Sequence, residues 1–323
     1  MRVLLTGSSG WLGRHLAPRL RGAGHEVLGL DVAPGGDTDV IGSVADAALI
    51  RNSFADQGIE AVIHAGALHK PDIVRYPAQA FVDVNVTGTA NLLAAAVAAG
   101  NDRFLFTSTT SLMISERVRE GKAGGAERAF SLDEDFGPLE PRNIYGRTKL
   151  AAEALCRRAH AEHGLNVLIL RTARFFPEED DTHRDLSGPN IKANEFLHRR
   201  LTVEDAADAH LAALDRAPQL GLDTFILSAP PPFSREEAGE LIVDAPAVIA
   251  RHFPKAPELY ARAGWQLPAH IDRIYDPSRA ERRMGFRCRT DFAAVLGALE
   301  GGEELPFAHD PAYVSPMVEP GAP

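Results

Sequence analysis

The sequence predicts an α/β fold, a doubly wound parallel sheet with a smaller, mainly helical C-terminal cap. Three observations carry this. Short aliphatic runs alternate with helical patterns of a dozen residues or more over about the first 230 positions, the rhythm of βαβ units around a parallel sheet. A glycine-rich turn separates the first run from the first helical pattern. The alternation then stops near Pro230-Pro231-Pro232, and shorter helical pieces follow.

Taken in order, the expected strands are Arg2–Thr6, Glu26–Asp31, Ala61–Ala65, Arg103–Ser108, Asn166–Arg171 and Thr224–Ser228. Each is short and largely apolar, as a strand covered on both faces should be. The expected helices Trp11–Gly24, Ala45–Asp56, Ala78–Ala99, Asn143–His163 and Val203–Arg216 are long enough for right-handed crossovers. Two polar stretches interrupt the rhythm. Residues 115–130 mix charge with glycine and read as a surface loop able to cover a pocket,. Residues 177–190 leave the sheet directly after a strand's carboxyl end,. The tail from Pro306 to Pro323 is expected to be poorly ordered,. The domain division expected is 1–171 with about 201–228 as the sheet domain, and 172–200 with 229–323 as a substrate-binding cap.

Composition excludes several classes. The chain has 323 residues, 45% hydrophobic and 24% charged, within the range of folded globular proteins. Its net charge of −10 gives no footprint for nucleic acid and repels anionic membranes. Two cysteines, Cys156 and Cys288, lie too far apart in sequence for a metal or redox pair and favour a reducing compartment. The N-terminal residues lack a leader's apolar core, and no apolar run approaches membrane-spanning length, so a cytoplasmic protein is expected,. No metal site is expected.

The turn Thr6-Gly7-Ser8-Ser9-Gly10-Trp11-Leu12-Gly13 follows a strand and opens a helix. Glycines there permit a tight turn and close backbone approach to a pyrophosphate, while the helix N-terminus offers unpaired N–H groups. Asp31 ends the second strand eighteen residues after Gly13, where a carboxylate accepts both hydroxyls of an adenosine ribose. It would repel a 2′-phosphate, and Val32-Ala33-Pro34 supplies no arginine to bind one, so NAD is expected over NADP.

Tyr145 and Lys149 stand at i and i+4 and share a helix face,. A phenol near its free pKa of about 10 is a poor base at neutral pH, but a neighbouring ammonium and a cationic nicotinamide favour phenolate. Tyr145 could then exchange a proton with a substrate hydroxyl, with Lys149 also holding the nicotinamide ribose. The hydroxyl run Thr107-Ser108-Thr109-Thr110-Ser111 ends the fourth strand, at the edge where ligands of open α/β sheets sit.

With these three motifs the chain resembles the extended short-chain dehydrogenase/reductases, the NAD-dependent epimerase/dehydratase family with its Rossmann fold. The likeness is good over residues 1–230 and loose beyond. Further matches are Val62-Ile63-His64-Ala65-Gly66-Ala67, Asn85-Val86-Thr87-Gly88-Thr89, Leu201-Thr202-Val203-Glu204-Asp205-Ala206-Ala207 and Asp276-Pro277-Ser278-Arg279-Ala280 through Gly285-Phe286. The resemblance implies a catalytic set of Thr109, Tyr145 and Lys149. It implies NAD contacts from Gly7, Ser9, Gly10, Trp11, Leu12, Gly13, Asp31, Ser43, Val44, His64, Ala65, Gly66, Ala67, Asn85 and Thr107, with Tyr145 and Lys149 again. His64 reads equally well as a hydrogen-bonded core histidine.

Departures narrow this. Gly42-Ser43-Val44 has serine where the family places an acid near adenine, so adenine recognition should be weaker. Thr110-Ser111 lacks the Asp-Glu pair of sugar 4,6-dehydratases and the glutamate of decarboxylating relatives. Arg171-Thr172-Ala173-Arg174 replaces a family asparagine motif, and an Arg174 guanidinium aimed into the pocket could clamp a carboxylate or phosphate. Its other reading is pairing with Glu178, Glu179, Asp180 or Asp181. Thr109, Thr110, Arg174 and Arg200 are the candidate substrate contacts, Arg200 lying where the family often has a phosphate-contacting arginine. Only 29 positions separate Arg174 from Val203, a short stretch for a nucleotide cap.

The resemblance implies hydride transfer from a secondary alcohol of a sugar-like, possibly anionic substrate, with Tyr145 as acid/base. Two alternatives remain: a nucleotide-sugar epimerase with tightly bound NAD, and a non-catalytic NAD-binding sensor. It also implies a homodimer through helices 78–99 and 143–163.

Overall fold

A computed structural model describes residues 1–55, 57–120, 127–179 and 185–316. The strands are β1 Arg2–Thr6, β2 Glu26–Asp31, β3 Val40–Ile41, β4 Ala61–His64, β5 Arg103–Thr109, β6 Phe130–Leu132, β7 Asn166–Thr172, β8 Leu222–Leu227 and β9 Arg273–Tyr275. The helices are α1 Trp11–Gly22, α2 Ala47–Phe54, α3 Ala78–Val82, α4 Gly88–Ala98, α5 Glu116–Glu120, α6 Ile144–His163, α7 Gly188–Glu195, α8 Val203–Leu220, α9 Ala238–Val243, α10 Ala245–His252, α11 Ala256–Ala263 and α12 Phe292–Gly301.

Seven strands form one parallel sheet in the order β3-β2-β1-β4-β5-β7-β8. The order runs outward from β1 in one direction and from β4 in the other. A crevice therefore opens at the carboxyl ends between these two strands, where the crossovers leave on opposite sides. α1 and α8 cover one face through Leu12, Leu16, Leu20, Ala206, Ala209 and Ala213. α2, α4 and α6 cover the other through Ile50, Leu92, Ala96, Ala152 and Cys156. Both cysteines are buried and unpaired. The doubly wound sheet is as the sequence predicts.

The expected helix 78–99 is interrupted. α3 passes through a π turn, Asp83–Thr87, into α4. Asn85 is buried there, and its amide closes on Leu68 N, Leu68 O and Thr148 Oγ1 at 2.9–3.1 Å. Contrary to the expectation that no run reaches membrane-spanning size, Ala78–Ala98 is long and apolar enough to do so, with mean hydropathy 1.3. Here it packs between α2 and α6.

A second core gathers Phe196, Phe233, Leu241, Val248, Ile249, Tyr260, Ile274, Phe292 and Phe307 from α7 to the C-terminal segment. It makes the smaller, mainly helical cap. A two-stranded parallel sheet of β6 and β9 stitches residues 130–132 to 273–275, and neither strand has a counterpart in the expected element list.

The expectation of a poorly ordered tail is corrected for residues 306–316. Phe307 is buried, Asp310 N–H donates to Pro177 O at 2.9 Å, and the Tyr313 ring meets Trp11 edge-on at 5.3 Å. Residues 317–323 lie outside the described residues, as do 121–126 of the stretch read as a pocket cover and 180–184 of the second polar stretch. The described flanks of the first are not open loop, since Glu116–Glu120 is helical and Phe130–Leu132 is a strand.

Candidate active site

Gly7 stands at the tip of β1 with φ +76°, a conformation that glycine adopts without strain. A Cβ there would lie 2.7 Å from Gly66 N, so the turn after β1 packs directly on the turn after β4. A Cβ on Gly13 would lie 2.1 Å from Gly7 O, which explains how α1 can start so close to the strand. No side chain caps α1, and its first turn holds no acid. Gly10, Trp11, Leu12 and Gly13 line a cleft at the crevice between β1 and β4.

Asp31 lines the same cleft. Its carboxylate accepts from Ser9 N–H at 2.9 Å and from Ala33 N–H at 3.2 Å. Burial raises the Asp31 pKa, and these backbone donors oppose the rise. Ser9 turns its hydroxyl to Ala33 O and Thr38 Oγ1. It therefore acts on the cleft by fixing Asp31 rather than by lining it. Ser43 and Val44 close the cleft beyond Asp31, with Ala65, Gly66 and Ala67 on the β4 side.

Tyr145 and Lys149 enter from the other end. Asn143 caps α6 by accepting from Gly146 N–H at 2.9 Å, which sets the helix face that carries both residues into the cleft. Burial pushes the Tyr145 phenol up to about 12, a hydrogen bond with Thr109 works against that, and the Asp72 charge adds to it. Thr109 also caps the turn after β5, accepting from Ser111 N–H at 3.1 Å. Lys149 is almost fully buried, its Nζ 4.0 Å from the Phe106 ring centroid. Burial lowers its pKa to about 7 despite the opposing influence of Cys156 and Glu153. The Glu153 carboxylate is held by Arg171 Nε and Nη2 at 2.9 and 2.8 Å and by Ser108 Oγ at 2.7 Å. Thr107 lines the cleft while its hydroxyl meets His210 Nε2 at 2.8 Å.

Several expected contact residues lie outside the lining of the cleft. His64 is buried, with Nδ1 at 2.7 Å from Thr6 Oγ1 and Nε2 at 3.1 Å from Thr89 Oγ1. Both ring nitrogens are used inside the fold. Asn85 is engaged by Leu68 and Thr148 and supports the β4 turn from behind. Thr110 is buried and directs its hydroxyl to Thr172 O at 3.3 Å. Arg174 pairs with Glu195, Nε to Oε1 at 3.4 Å. Arg200 is buried, its Nη1 2.8 Å from Glu195 Oε2 and its Nη2 donating to Phe176 O. Neither arginine lines the cleft. Arg199 joins the same carboxylate at 3.1 Å, so Glu195 gathers the arginines expected to meet an anion.

The cleft also has walls absent from the expected set. His69, Asp72 and Tyr76 follow β4, Phe175 and Phe176 follow β7, and Tyr313, Ser315 and Pro316 arrive from the C-terminal segment. His69 and Asp72 had a readable sequence signal, a His-x-x-Asp just past a strand's carboxyl end. Tyr313 and Ser315 had none, since their placement depends on cap contacts far away in sequence.

The model of the NAD-dependent epimerase/dehydratase family matches residues 3–222. The chain belongs to that family. Among curated relatives, UDP-glucose 4-epimerase of Azospirillum brasilense is 32% identical over 179 residues, 53% of this chain and 48% of that protein. The 3-beta-hydroxysteroid dehydrogenase of Mycolicibacterium neoaurum is 28% identical over 193 residues, 56% of this chain and 49% of that one. The chain thus spans about half the length of the curated relatives it matches. Among solved structures, a short-chain dehydrogenase/reductase superfamily protein from Agrobacterium tumefaciens with bound NAD has TM-score 0.65 at 24% identity, covering 93% of this chain and 96% of that one. UDP-glucose 4-epimerase of Thermotoga maritima has TM-score 0.64 at 18% identity, covering 94% and 99%. These likenesses show a shared fold along nearly the whole chain. The glycine cradle, the uncapped α1 N-terminus and the fixed Asp31 carboxylate fit a dinucleotide on their own chemistry.

Proposed function

We propose that this chain is an NAD-dependent oxidoreductase that acts on a secondary alcohol of a sugar-like substrate, with Tyr145 as acid/base. One observation carries the reading: Tyr145 and Lys149 project from one face of α6 into the same cleft as the Gly7–Gly13 turn and Asp31. NAD, when bound, supplies the hydride acceptor. Tyr145 Oη takes the proton of the substrate hydroxyl and returns it in the reverse direction. Thr109 holds the phenolic oxygen on the reacting side, and a charged Lys149 lowers the cost of phenolate. Asp31 selects NAD over its 2′-phosphorylated form. Phe175 and Phe176 keep water from the reacting end.

A second reading is a nucleotide-sugar epimerase that keeps NAD bound through the cycle. The names of several relatives favour it. With Arg174 and Arg200 both held by Glu195, the case for a small anionic substrate loses its main support, and an uncharged sugar ring is the better occupant of the cleft. The domain division is 1–171 with 201–228 for the dinucleotide and 172–200 with 229–323 for the substrate, in a cytoplasmic homodimer.

Proton NMR of the NAD-loaded protein with UDP-glucose, UDP-galactose and the matching free sugars separates the readings. Loss of a carbinol proton with stoichiometric NADH signals indicates a dehydrogenase. Appearance of the diastereomer without net NADH indicates an epimerase. Bound NAD with no change in any sugar would overturn both in favour of a non-catalytic sensor.

A further inference from the structure

His69 begins the turn after β4, and Asp72 three residues later folds back onto it. The Asp72 carboxylate accepts from the His69 backbone N–H at 2.8 Å, and the ring Nδ1 lies 2.7 Å from Oδ2. Asp72 is buried. Burial alone would raise its pKa, but the His69 hydrogen bonds and the Arg75 charge outweigh it and hold the group below the usual carboxylate range. An ionised carboxylate can only accept, so Nδ1 carries the hydrogen and Nε2 is left to meet a hydroxyl. The ring is fixed on its face as well, stacked on Phe176 at 4.9 Å and 22°, with Phe176 stacked in turn on Phe175.

Nε2 faces a hydroxyl: Ser315 Oγ lies 3.2 Å away. His69, Asp72, Ser315 and Tyr145 all line one cleft, and Asp72 is near enough for its charge to be felt at the Tyr145 phenol. A histidine fixed in tautomer and plane by a buried carboxylate and an aromatic shelf is a costly arrangement for mere packing, since a buried charge needs compensation. It forms a ready partner for one hydroxyl beside the reacting centre.

We propose that His69, oriented by Asp72, is a hydroxyl-binding subsite for a polyhydroxylated substrate, which places at Nε2 a second hydroxyl in the position that Ser315 Oγ fills. The inference rests on the reading of Tyr145 as acid/base and adds the substrate's second anchoring point. Ser315 then competes with the substrate, and the C-terminal segment yields when the sugar enters. A substrate lacking that second hydroxyl leaves Nε2 unpaired and binds more weakly.

The test uses full-length, NAD-loaded protein with ¹⁵N-labelled histidine, the His69 signals assigned by comparison with His69→Gln. The expected spectrum shows Nδ1 protonated, and Asp72→Asn weakens that preference. UDP-glucose, UDP-galactose, glucose and galactose are the probes, with binding measured by calorimetry. A probe that binds should shift Nε2, and Ser315→Ala should tighten it about 2- to 5-fold. His69→Phe should cost a binding probe about 10- to 100-fold in kcat/KM, mostly in KM, with His69→Gln recovering part of the loss and NAD affinity unchanged in both. An unprotonated Nδ1, or a probe that binds and turns over with Nε2 unmoved and His69→Phe silent, overturns the subsite while leaving the Tyr145 reading intact. Failure of every probe to bind overturns both together.

Discussion

Lys149 and Tyr145 illustrate how much of a reactive pair is set by burial rather than by residue type. At i and i+4 the two were recognisable from the sequence, yet an ammonium that titrates near 7 and a phenol near 12 follow from burial under other strands and loops, with the Asp72 charge adding to the phenol's rise and Glu153 of the same helix opposing the ammonium's fall. The Lys149 shift fixes a sign. In the unfolded chain lysine keeps its proton to about 10.4, whereas in the fold it loses it near 7. Between those values the unfolded state binds more protons, so stability rises with pH. Urea unfolding of the ligand-free protein at pH 7 and pH 9 should show a Lys149 contribution on the order of 1–2 kcal/mol favouring pH 9, absent in Lys149→Met. An equal pH response in the variant would assign it to other groups. His64 shows the limit of the sequence at this scale. Its place beside a family motif suited a cofactor contact, and only the positions of Thr6 and Thr89 reveal a ring with both nitrogens occupied.

Elements made of consecutive residues were legible; those made by distant pairing were not. β1, the glycine turn, α1 and β2 are coded within the first 31 residues by an apolar run, punctuating glycines and a terminal acid. β6 and β9 are three-residue strands far apart in sequence, too short for any alternation to register. The π turn at Asp83–Thr87 escaped because helical periodicity continues through it, while the buried Asn85 amide depends on Leu68 in the turn after β4. The glycine turn yields a sharp prediction. With Gly7 O at 2.1 Å from the place of a new Cβ, Gly13→Ala must displace backbone, and should cost about 2 kcal/mol or more of stability. NAD affinity, measured by calorimetry, should fall with it by at least tenfold. Gly22→Ala, whose Cβ meets nothing within 4 Å, should leave both within error. Similar losses in the two variants would refute the close-approach argument.

Across the whole molecule, the cap and the sheet meet at the cleft through the C-terminal segment, which reaches Trp11, His69 and Pro177. Nothing local in residues 306–316 announces this, and proline and charge there read as a loose end. The outward faces of α4 and α6 carry exposed Ala94, Ala98, Ala151 and Ala154, small enough for another copy to pack closely. The homodimer reading therefore predicts a sedimentation mass near twice 34.8 kDa, reduced to the monomer by Ala151→Glu. A monomeric parent protein would rule that interface out. The chemistry of the cleft is tested most directly by following absorbance at 340 nm after mixing NAD-loaded protein with the sugar that NMR identifies as bound. The parent protein should show reduction of its NAD, transient in an epimerase and lasting in a dehydrogenase. Tyr145→Phe should bind the same NAD and slow that reduction about 10²- to 10⁴-fold. Reduction at an unchanged rate in Tyr145→Phe would contradict the assignment of Tyr145 as the acid/base on which this account depends.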